Sequence, residues 1–449
     1  MPAKYHLKIE QDIPVIAECD VLVAGGGPGG LGAAVMAARS GAKTILAERF
    51  GILGGMASAG EVHPFMPNHY DTEGLGNAWI SDHETSMDRP VYLEWIRAMA
   101  AYLPPVLRGK ALADSEACNI ARNIDKNAAS LAAEDLCLKA GVKLLYHHTL
   151  VQVPVLDGRI EYAVFSSKSG FVAVKAGTYV DSTGDGDLAA LAGCGFETGG
   201  PDGNCQPMTL CFKLSNIDRV KMPDNEQMQK LYLKAKCAGI LDCPRENLLY
   251  METNDPSVIH FNTTRIIGRS GIDGIALSEA EIEGRRQFRQ YLEWFSSSVP
   301  GFENAQIHSI AQHIGVRETR RINGLACLTR EDFIKRSKFK DAIARCNYPI
   351  DIHSTNGAGT EMVHIPHVEY YEIPYGCIVA KDVSNLTIGS RCISVDHAVH
   401  SSMRVMPPVC SIGQAAGLAA AVAAKNGVGQ STLDGVEIRE RLKAQGAWL

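Results

Sequence analysis

A glycine-rich turn near the start of the chain has the spacing of a loop that binds a pyrophosphate. Gly25, Gly27 and Gly30 form a G-x-G-x-x-G pattern. In such a loop the first glycine allows a tight turn, the second lets the backbone approach the phosphates, and the third lets a helix pack closely against a strand. A helix that begins near Pro28 would also point its free N–H groups and its positive dipole end at the anion. The pattern therefore predicts a dinucleotide-binding turn.

The elements needed to position this turn are predicted on both sides of it. Residues 19–24 (CDVLVA) indicate a buried parallel strand, residues 31–40 a helix of small side chains, and residues 43–48 (KTILAE) a second strand. Glu48 ends the second strand, where a carboxylate can bind a ribose hydroxyl. A G-x-G-x-x-G pattern alone is weak evidence, but strand, turn, helix and carboxylate in this order predict an adenine dinucleotide site.

Two further glycine motifs favour FAD over a nicotinamide cofactor. Residues 54–56 (GGM) follow Glu48 closely, and a flexible diglycine there can wrap an extended cofactor. Residues 183–185 (TGD) end a strand predicted much later in the chain, and a returning strand with such a turn can close over the cofactor. Because no second G-x-G-x-x-G follows, electrons are expected to pass to an external acceptor such as oxygen, a quinone or a separate carrier.

Four stretches resemble the FAD-dependent oxidoreductases of the glutathione-reductase-like superfamily, and a broad bacterial family within it. They are residues 25–48 (GGGPGGLGAAVMAARSGAKTILAE), 182–193 (STGDGDLAALAG), 315–333 (GVRETRRINGLACLTREDF) and 388–421 (IGSRCISVDHAVHSSMRVMPPVCSIGQAAGLAAA). Disulfide reductases of this superfamily carry a closely spaced cysteine pair beside the first helix, which this chain lacks. The resemblance therefore implies FAD binding without a disulfide redox centre.

The same resemblance implies a set of cofactor contacts. Val151 would meet adenine through its backbone, and the helix entered at Gly413 would aim its N-terminus at the pyrimidine edge of the flavin, where the dipole favours negative charge. The residues expected to bind the cofactor are Gly25, Gly27, Pro28, Gly29, Gly30, Glu48, Arg49, Gly54, Gly55, Met56, Val151, Thr183, Gly184, Asp185, Gly389, Gly413 and Ala416.

The segment before the C-terminal helix contains candidates for catalysis. His397 would accept a proton as hydride leaves an alcohol or amine, or would instead hydrogen-bond the backbone of its own loop. His400 is the weaker candidate of the two. Arg404 would bind a substrate carboxylate, or fix the loop through an ion pair. Catalytic residues are therefore predicted to be His397 and Arg404.

Other polar residues are placed by the predicted elements rather than by a motif. Arg317 and Arg320 lie three residues apart on one face of a predicted helix, where pairing with acidic residues or a domain interface is expected. Residues 262–265 (NTTR) are predicted to continue a strand, with alternate side chains on either face and one face towards the substrate.

Three aromatic or imidazole residues, His63, His69 and Tyr70, would approach the flavin from its other side. His364 and His367 have metal-compatible spacing, but Pro366 between them prevents a regular helix and no third ligand follows. No metal site is predicted.

Composition limits the class of protein. The hydrophobic content of 46% is typical of a packed globular chain, and the net charge of −6 argues against a nucleic-acid partner. Thirteen cysteines without a C-x-x-C predict reduced thiols in a cytoplasmic protein. The first residues lack the apolar core of a signal peptide. The apolar run 413–424 is too short to span a bilayer and indicates a buried helix.

These elements predict an α/β protein in which a Rossmann-like FAD-binding domain is built from both chain ends. It would comprise residues 15–60, 125–200 and 375–449, with an inserted α+β substrate or cap domain from residues 61–124 and 201–374. Helices are expected at residues 125–140, 225–238, 278–298 and 410–426, and a buried strand at 386–389. Self-association is left open.

The leading functional interpretation is an FAD-dependent dehydrogenase or oxidase that transfers a hydride from a small polar metabolite to flavin. Two alternatives remain. One is a flavin-binding subunit of a larger electron-transfer complex, and the other is an FAD-dependent enzyme without net oxidation, such as an isomerase or a hydratase.

Overall fold

A sheet made of strands from both ends of the chain organises the molecule. A computed structural model describes residues 11–71, 84–105, 124–366 and 368–449. The strands are β1 (Val15–Ala24), β2 (Thr44–Ala47), β3 (His69–Asp71), β4 (Glu84–Ser86), β5 (Lys143–Leu145), β6 (Thr149–Gln152), β7 (Val155–Leu156), β8 (Arg159–Ile160), β9 (Ala163–Ser167), β10 (Gly170–Asp181), β11 (Phe196–Thr198), β12 (Phe212–Ser215), β13 (Tyr250–Glu252), β14 (Ile259–Phe261), β15 (Gln306–Ile310), β16 (Arg320–Ile322), β17 (Ala342–Cys346), β18 (Ile350–His353), β19 (Thr360–Val363), β20 (Tyr371–Pro374) and β21 (Leu386–Ile388).

The helices are α1 (Pro28–Arg39), α2 (Val91–Met99), α3 (Lys126–Lys139), α4 (Asp187–Leu191), α5 (Asn225–Cys237), α6 (Gly274–Ser298), α7 (Arg330–Lys335), α8 (His397–Met403), α9 (Met406–Asn426) and α10 (Gly435–Ala444). The order of the main sheet is β5-β2-β1-β10-β9-β6, and β21 also pairs with β10. Strands β5, β2, β1, β10 and β21 are parallel, whereas β9 is antiparallel to β10 and β6. The parallel part is the Rossmann-like core of an α/β fold.

The predicted β-α-β unit is confirmed as β1, α1 and β2. Residues 21–24 of β1 are fully buried, as expected for a parallel strand covered on both faces. The helix predicted at 125–140 is α3, whose N-cap Asp125 accepts hydrogen bonds from the backbone N–H groups of Asn127 and Ala128. The predicted buried strand at 386–389 is β21, and it pairs with the end of β10.

The C-terminal helix α9 starts earlier than the sequence pattern indicated. It begins at Met406 instead of Cys410, because two prolines are tolerated in a first helical turn, where an N–H has no intrahelical acceptor. Gly413 therefore lies in the interior of α9, and the prediction of a helix N-terminus there is wrong. The apolar length of α9 is sufficient to cross a membrane, but this helix is buried in the protein, as predicted.

A second sheet packs with helices α5 and α6 around an aromatic core. Its order is β13-β14-β12-β15, and all its pairings are antiparallel. Phe212 stacks on Phe261 with ring centroids 5.0 Å apart, and Phe295 lies 4.7 Å from Phe261. The helices predicted at 225–238 and 278–298 are confirmed as α5 and α6, and α6 begins four residues earlier than predicted.

Two local predictions in this part of the chain are wrong. Strand β14 ends at Phe261, so residues 262–265 do not alternate along a strand. Arg320 lies on strand β16, which pairs with β11, and Arg317 precedes it in irregular backbone. The pairing with β11 satisfies the backbone of this segment and overrides the helical spacing of the two arginines.

The predicted domain boundaries stay a prediction. Buried residues from 322 onwards, including those of β17 and β20, pack into the same hydrophobic cluster as the main sheet, whereas β12, β14, α5 and α6 form a separate cluster. Residues 72–83 and 106–123, which belong to the predicted segment 61–124, lie outside the described residues.

Candidate active site

A cavity of about 520 Å³ lies at the carboxyl ends of the parallel strands. Gly25, Glu48 and Ser182, which directly follow β1, β2 and β10, line it together with Ser390, two residues after β21. Open parallel sheets place ligands at this edge, because the loops that leave neighbouring strands diverge there and leave a crevice. The volume is within the range of cofactor and small-molecule pockets.

The glycine turn has the geometry that the sequence pattern predicted. Gly25 has φ of +99°, and a Cβ there would lie 2.3 Å from the carbonyl oxygen of Ser182. A Cβ on Gly30 would lie 1.8 Å from the carbonyl oxygen of Gly25, so strand and helix approach too closely for any side chain. At Gly27 the nearest atom to such a Cβ would be 3.8 Å away, and the free space belongs to the cavity.

The N-terminus of α1 faces this space. Gly27 is the N-cap and has no side chain to bond the first N–H groups, while Pro28 and Gly29 line the cavity. Unsatisfied N–H groups and the positive dipole end form an anion site. The turn therefore fits the pyrophosphate of a dinucleotide.

Glu48 is held at the rim of the same cavity. Its Oε2 accepts a hydrogen bond from the N–H of Gly26 at 2.6 Å, and its Oε1 accepts one from the N–H of Phe50 at 2.8 Å. Burial raises the pKa of Glu48 above its usual value, and these two hydrogen bonds oppose that rise. The carboxylate keeps lone pairs available for a ribose hydroxyl.

Of the residues expected to bind the cofactor, ten line the cavity. They are Gly25, Gly27, Pro28, Gly29, Glu48, Arg49, Gly55, Met56, Thr183 and Gly184. Seven do not line it: Gly30, Gly54, Val151, Asp185, Gly389, Gly413 and Ala416.

Two of these seven residues contact neighbours of the cavity lining, and Val151 lies elsewhere. Gly54 has φ of +101° and donates its N–H to the carbonyl of Gly26. Asp185 accepts hydrogen bonds from Arg391 at 2.6 Å and Thr319 at 3.0 Å. Val151 lies on β6 with its side chain exposed.

Close packing of α1 against α9 and against the end of β21 explains why glycine stands at positions 29 and 413. A Cβ on Gly413 would lie 1.9 Å from the carbonyl oxygen of Gly29, and one on Gly29 would lie 2.0 Å from that of Gly389. Gly413 therefore permits close helix packing and does not reach the cavity. The N-terminus of α9 does reach it, through Val405 and Met406.

The opposite half of the cavity is polar and charged. Its side chains come from segments far apart in sequence: Arg245, Glu246, Asn247, Asn262, Arg317, Tyr348, Asp351, His353, Thr360 and Arg404. The sequence predictions included Arg404, Arg317 and Asn262 and missed the others. No motif surrounds Arg245, Tyr348, Asp351 or His353, so nothing local marks them.

Asp351 and His353 contact each other, and Asp351 also contacts further side chains of this half. Tyr348 donates its hydroxyl hydrogen bond to Asp351 Oδ2 at 3.1 Å, and an Nη of Arg404 lies 3.4 Å from the same oxygen. His353 Nε2 lies 3.5 Å from Asp351 Oδ1. These contacts hold the carboxylate of Asp351 at the wall of the cavity.

The imidazole of His353 is fixed by its other nitrogen. An Nη of Arg265 donates to His353 Nδ1 at 3.0 Å, which places the proton of the neutral ring on Nε2. Burial and the positive charges of Arg317 and Arg404 lower the pKa of His353 far below its usual value. The ring is therefore neutral at pH 7.

His63 is the one of the three predicted flavin-side residues that lines the cavity. Its Nε2 lies 3.0 Å from the carbonyl oxygen of Ala57, and burial together with Lys213 lowers its pKa to about 4. His69 is buried on β3, and Tyr70 packs edge-on against Tyr370. The last two do not line the cavity.

The structure does not bring the predicted proton acceptor His397 to the cavity. Its Nδ1 donates to Glu318 Oε1 at 2.8 Å, and Arg321 donates to the same oxygen at 2.7 Å. His400 is fully buried, and burial lowers its pKa to about 3. Arg320 pairs with an acidic residue, as expected, and its partner is Asp187 at 2.8 Å. Arg404 is the predicted catalytic residue that the fold does bring to the site.

Within the described ranges no group of three metal-ligating side chains is found. His364 is described, whereas His367, the second member of the spacing considered in the sequence, is not.

Comparison with known protein families finds one match. The model of a family described as FAD dependent oxidoreductase matches residues 20–442. No curated protein sequence matches the chain.

Solved structures to which the chain is similar include a geranylgeranyl bacteriochlorophyll reductase-like protein from Thermoplasma acidophilum, at 12% identity, 96% coverage of this chain, 84% of that chain and a TM-score of 0.43. A second is the myxobacterial chondrochloren halogenase, a variant of FAD-dependent halogenases, at 11% identity and a TM-score of 0.42. The match covers 95% of this chain and 78% of that chain. A third is a p-nitrophenol 4-monooxygenase from Pseudomonas putida, at 12% identity and a TM-score of 0.37. The match covers 69% of this chain and 70% of that chain.

Proposed function

This chain belongs to the FAD-dependent oxidoreductase family and is an enzyme that binds FAD, and we propose that it transfers a hydride from a small polar metabolite to the flavin, as a dehydrogenase or an oxidase. One observation carries the proposal. A single cavity joins the glycine turn and Glu48 to a charged half that contains Tyr348 and Asp351. Cofactor and substrate would therefore lie in one continuous space.

We propose that the amino end of α1 holds the phosphates of FAD and that Glu48 binds the ribose. The flavin end would lie towards Met56 and Met406, between the two halves of the cavity. FAD supplies the hydride acceptor. The N-terminus of α9, which reaches the cavity at Met406, favours negative charge there through its dipole. The turn, the returning strand β10 and helix α9 support a place in the glutathione-reductase-like superfamily.

Asp351 is the proposed proton acceptor. When hydride leaves an alcohol or amine carbon, the proton on the oxygen or nitrogen must go to a base within hydrogen-bond reach. Asp351 lines the cavity and has Tyr348 as a hydrogen-bond donor at 3.1 Å. His353, kept neutral by its surroundings, would orient Asp351 through Nε2.

The domain assignment remains a proposal. Residues 15–60, 125–200 and 375–449 would form the FAD-binding domain, and the rest would cover the substrate. A cytoplasmic location and an external electron acceptor are likewise proposed from the sequence.

The test is anaerobic reduction of the purified holoenzyme by a metabolite panel, monitored through the absorption of bound flavin. Lasting loss of the oxidised flavin spectrum with one metabolite is expected. Product formation without lasting bleaching would instead support isomerisation or hydration, and a strict need for a second polypeptide would support the electron-transfer subunit. Protein that holds no flavin after FAD is supplied would reject the proposal.

A further inference from the structure

Three arginines from separate parts of the chain line the charged half of the cavity. Arg245 follows α5, Arg317 precedes β16, and Arg404 ends α8. Among the described residues, Glu246 and Asp351 are the carboxylates that line the same half. The side-chain charge that these described residues place on the wall is therefore positive on balance.

The two carboxylates already have cationic partners. Glu246 pairs with Arg265 at 3.0 Å, and Asp351 lies 3.4 Å from Arg404. Because Arg265 and Arg404 account for these acidic groups, the other two arginines are left without a carboxylate partner in the part of the chain that the structure describes.

Arg317 is bonded only to neutral acceptors within the described residues. One of its Nη atoms donates to the carbonyl of Pro207 and to the hydroxyl of Thr209, each at 2.6 Å. Burial, followed by the positive charges of Arg404 and Arg245, lowers the pKa of Arg317 to about 9. The negative charge of Asp351 opposes this lowering of the pKa but does not offset it, so a bound anion would stabilise the charged guanidinium.

Arg245 is buried, with 5% of its surface exposed. Its Nε donates to Asn247 at 3.1 Å, and one Nη has no hydrogen-bond partner among the described residues. A buried guanidinium N–H without an acceptor is costly, and a ligand oxygen that accepts its hydrogen bond would satisfy it.

We propose that the substrate is a small carboxylic acid and that Arg245 and Arg317 bind its carboxylate. The planar guanidinium matches a carboxylate with paired hydrogen bonds, and both arginines have donors to spare. The proposal rests on the function proposed above, because it assigns the substrate of the same cavity. Arg404 is tied to Asp351, so we assign it to positioning that carboxylate.

The test uses the FAD-loaded enzyme and three matched pairs of probes: lactate and lactamide, succinate and succinamide, benzoate and benzamide. Binding is followed through the shift of the flavin absorption spectrum. We expect the carboxylates to bind more tightly than the uncharged amides. R317Q and R245Q are expected to weaken carboxylate binding about 10- to 100-fold while amide and FAD binding change little. R441Q, which removes an exposed arginine paired with Glu437 on α10, is the matched control.

Each contrary outcome has a distinct meaning. Equal binding of acids and amides by an enzyme that holds FAD, or no binding of any probe, overturns the carboxylate assignment alone. Tighter binding of inorganic phosphate than of every carboxylate also overturns it. Loss of FAD affinity in both variants would show that these arginines serve the cofactor phosphates. R317K keeps the positive charge, so it separates lost carboxylate recognition from lost folding of the variant. An enzyme that does not bind FAD at all rejects the underlying function.

Discussion

Glu48 combines burial with two backbone hydrogen bonds at the end of β2, and these contacts aim it at the cavity. An amide in its place has only one acceptor oxygen, and its NH₂ would face a backbone N–H. We expect Glu48→Gln to weaken FAD binding about 10-fold or more, since a charged hydrogen bond and the local geometry are both lost. Titration of the apoprotein with FAD measures this, and Glu437→Gln on exposed α10 is the control. Equal FAD affinity in a stable variant would remove Glu48 from the site.

The structure separates the two residues considered for proton transfer. His397 bonds Glu318 away from the cavity, whereas Asp351 lines it. Anaerobic stopped-flow measurement of flavin reduction should show little change in rate for His397→Gln. Asp351→Asn should lower the rate by about 10²- to 10⁴-fold, as expected for loss of a general base. The reverse order of effects would restore His397 as the base.

Glu318 makes stability depend on pH. Although burial raises its pKa, the hydrogen bond from His397 and the nearby imidazoles of His400 and His397 lower it overall, from 4.5 to about 2. A lowered carboxyl pKa stabilises the folded state fully above pH 4.5, and this contribution disappears as the pH falls towards 2.

The comparison of wild type with Glu318→Gln tests this pH dependence. The difference in the free energy of urea unfolding should be present at pH 7 and pH 5 and should shrink at pH 3.5. A difference that stays constant down to pH 3.5 would assign the effect to packing instead of charge.

At the scale of elements, the pair α1 and α9 depends on glycine at the contact. An alanine methyl at position 413 would overlap the carbonyl oxygen of Gly29, 1.9 Å away, and neither helix backbone can move without displacing the glycine turn. Gly413→Ala is therefore expected to destabilise the protein by about 3 kcal/mol or more, and to weaken FAD binding with it.

Gly274→Ala is the matched control, because a Cβ at this first residue of α6 meets no atom within 4 Å. It should leave thermal stability unchanged or slightly higher, since alanine favours a helix. Equal stability of both variants would show that the two helices can separate at little cost.

At the scale of the whole molecule, FAD would join two halves of one cavity that belong to different packing units. The glycine turn belongs to the main sheet, whereas Thr209 and Asn262 flank strands of the second sheet. A ligand that binds only the folded state stabilises it, by about 2.7 kcal/mol at a concentration 100 times its Kd. Removal of FAD should therefore lower the thermal midpoint, and calorimetry of apoprotein and holoprotein measures the difference. A midpoint independent of FAD would contradict a cofactor held in this cavity.

The thermal midpoints of Glu48→Gln with and without FAD test whether Glu48 contributes to this stabilisation. If Glu48 binds the ribose, saturating FAD should raise the midpoint of this variant less than that of the wild type at equal FAD concentration.

Features that depend on residues close together in the chain could be predicted from the sequence, whereas features that depend on distant residues could not. The strand, turn, helix and carboxylate from residue 19 to residue 48 were predicted in order, because close spacing along the chain constrains backbone geometry directly. Helices α3, α5 and α6 were predicted from helical patterns in the sequence, although α6 begins four residues earlier than predicted. The start of α9 was missed, since two prolines resemble a helix end when their position in the first turn is unknown.

The charged half of the cavity was decided by the tertiary structure. Arg245, Tyr348, Asp351 and His353 lie in stretches without a motif. Contacts between distant segments bring them together, such as the hydrogen bond between His353 on β18 and Arg265, 88 residues earlier in the chain. The position of His397 was decided in the same way, because Glu318, 79 residues away, binds its ring. Local spacing therefore determined the cofactor turn, FAD and the Rossmann-like core. The residues that face the substrate depend on contacts between distant segments, which no local pattern encodes.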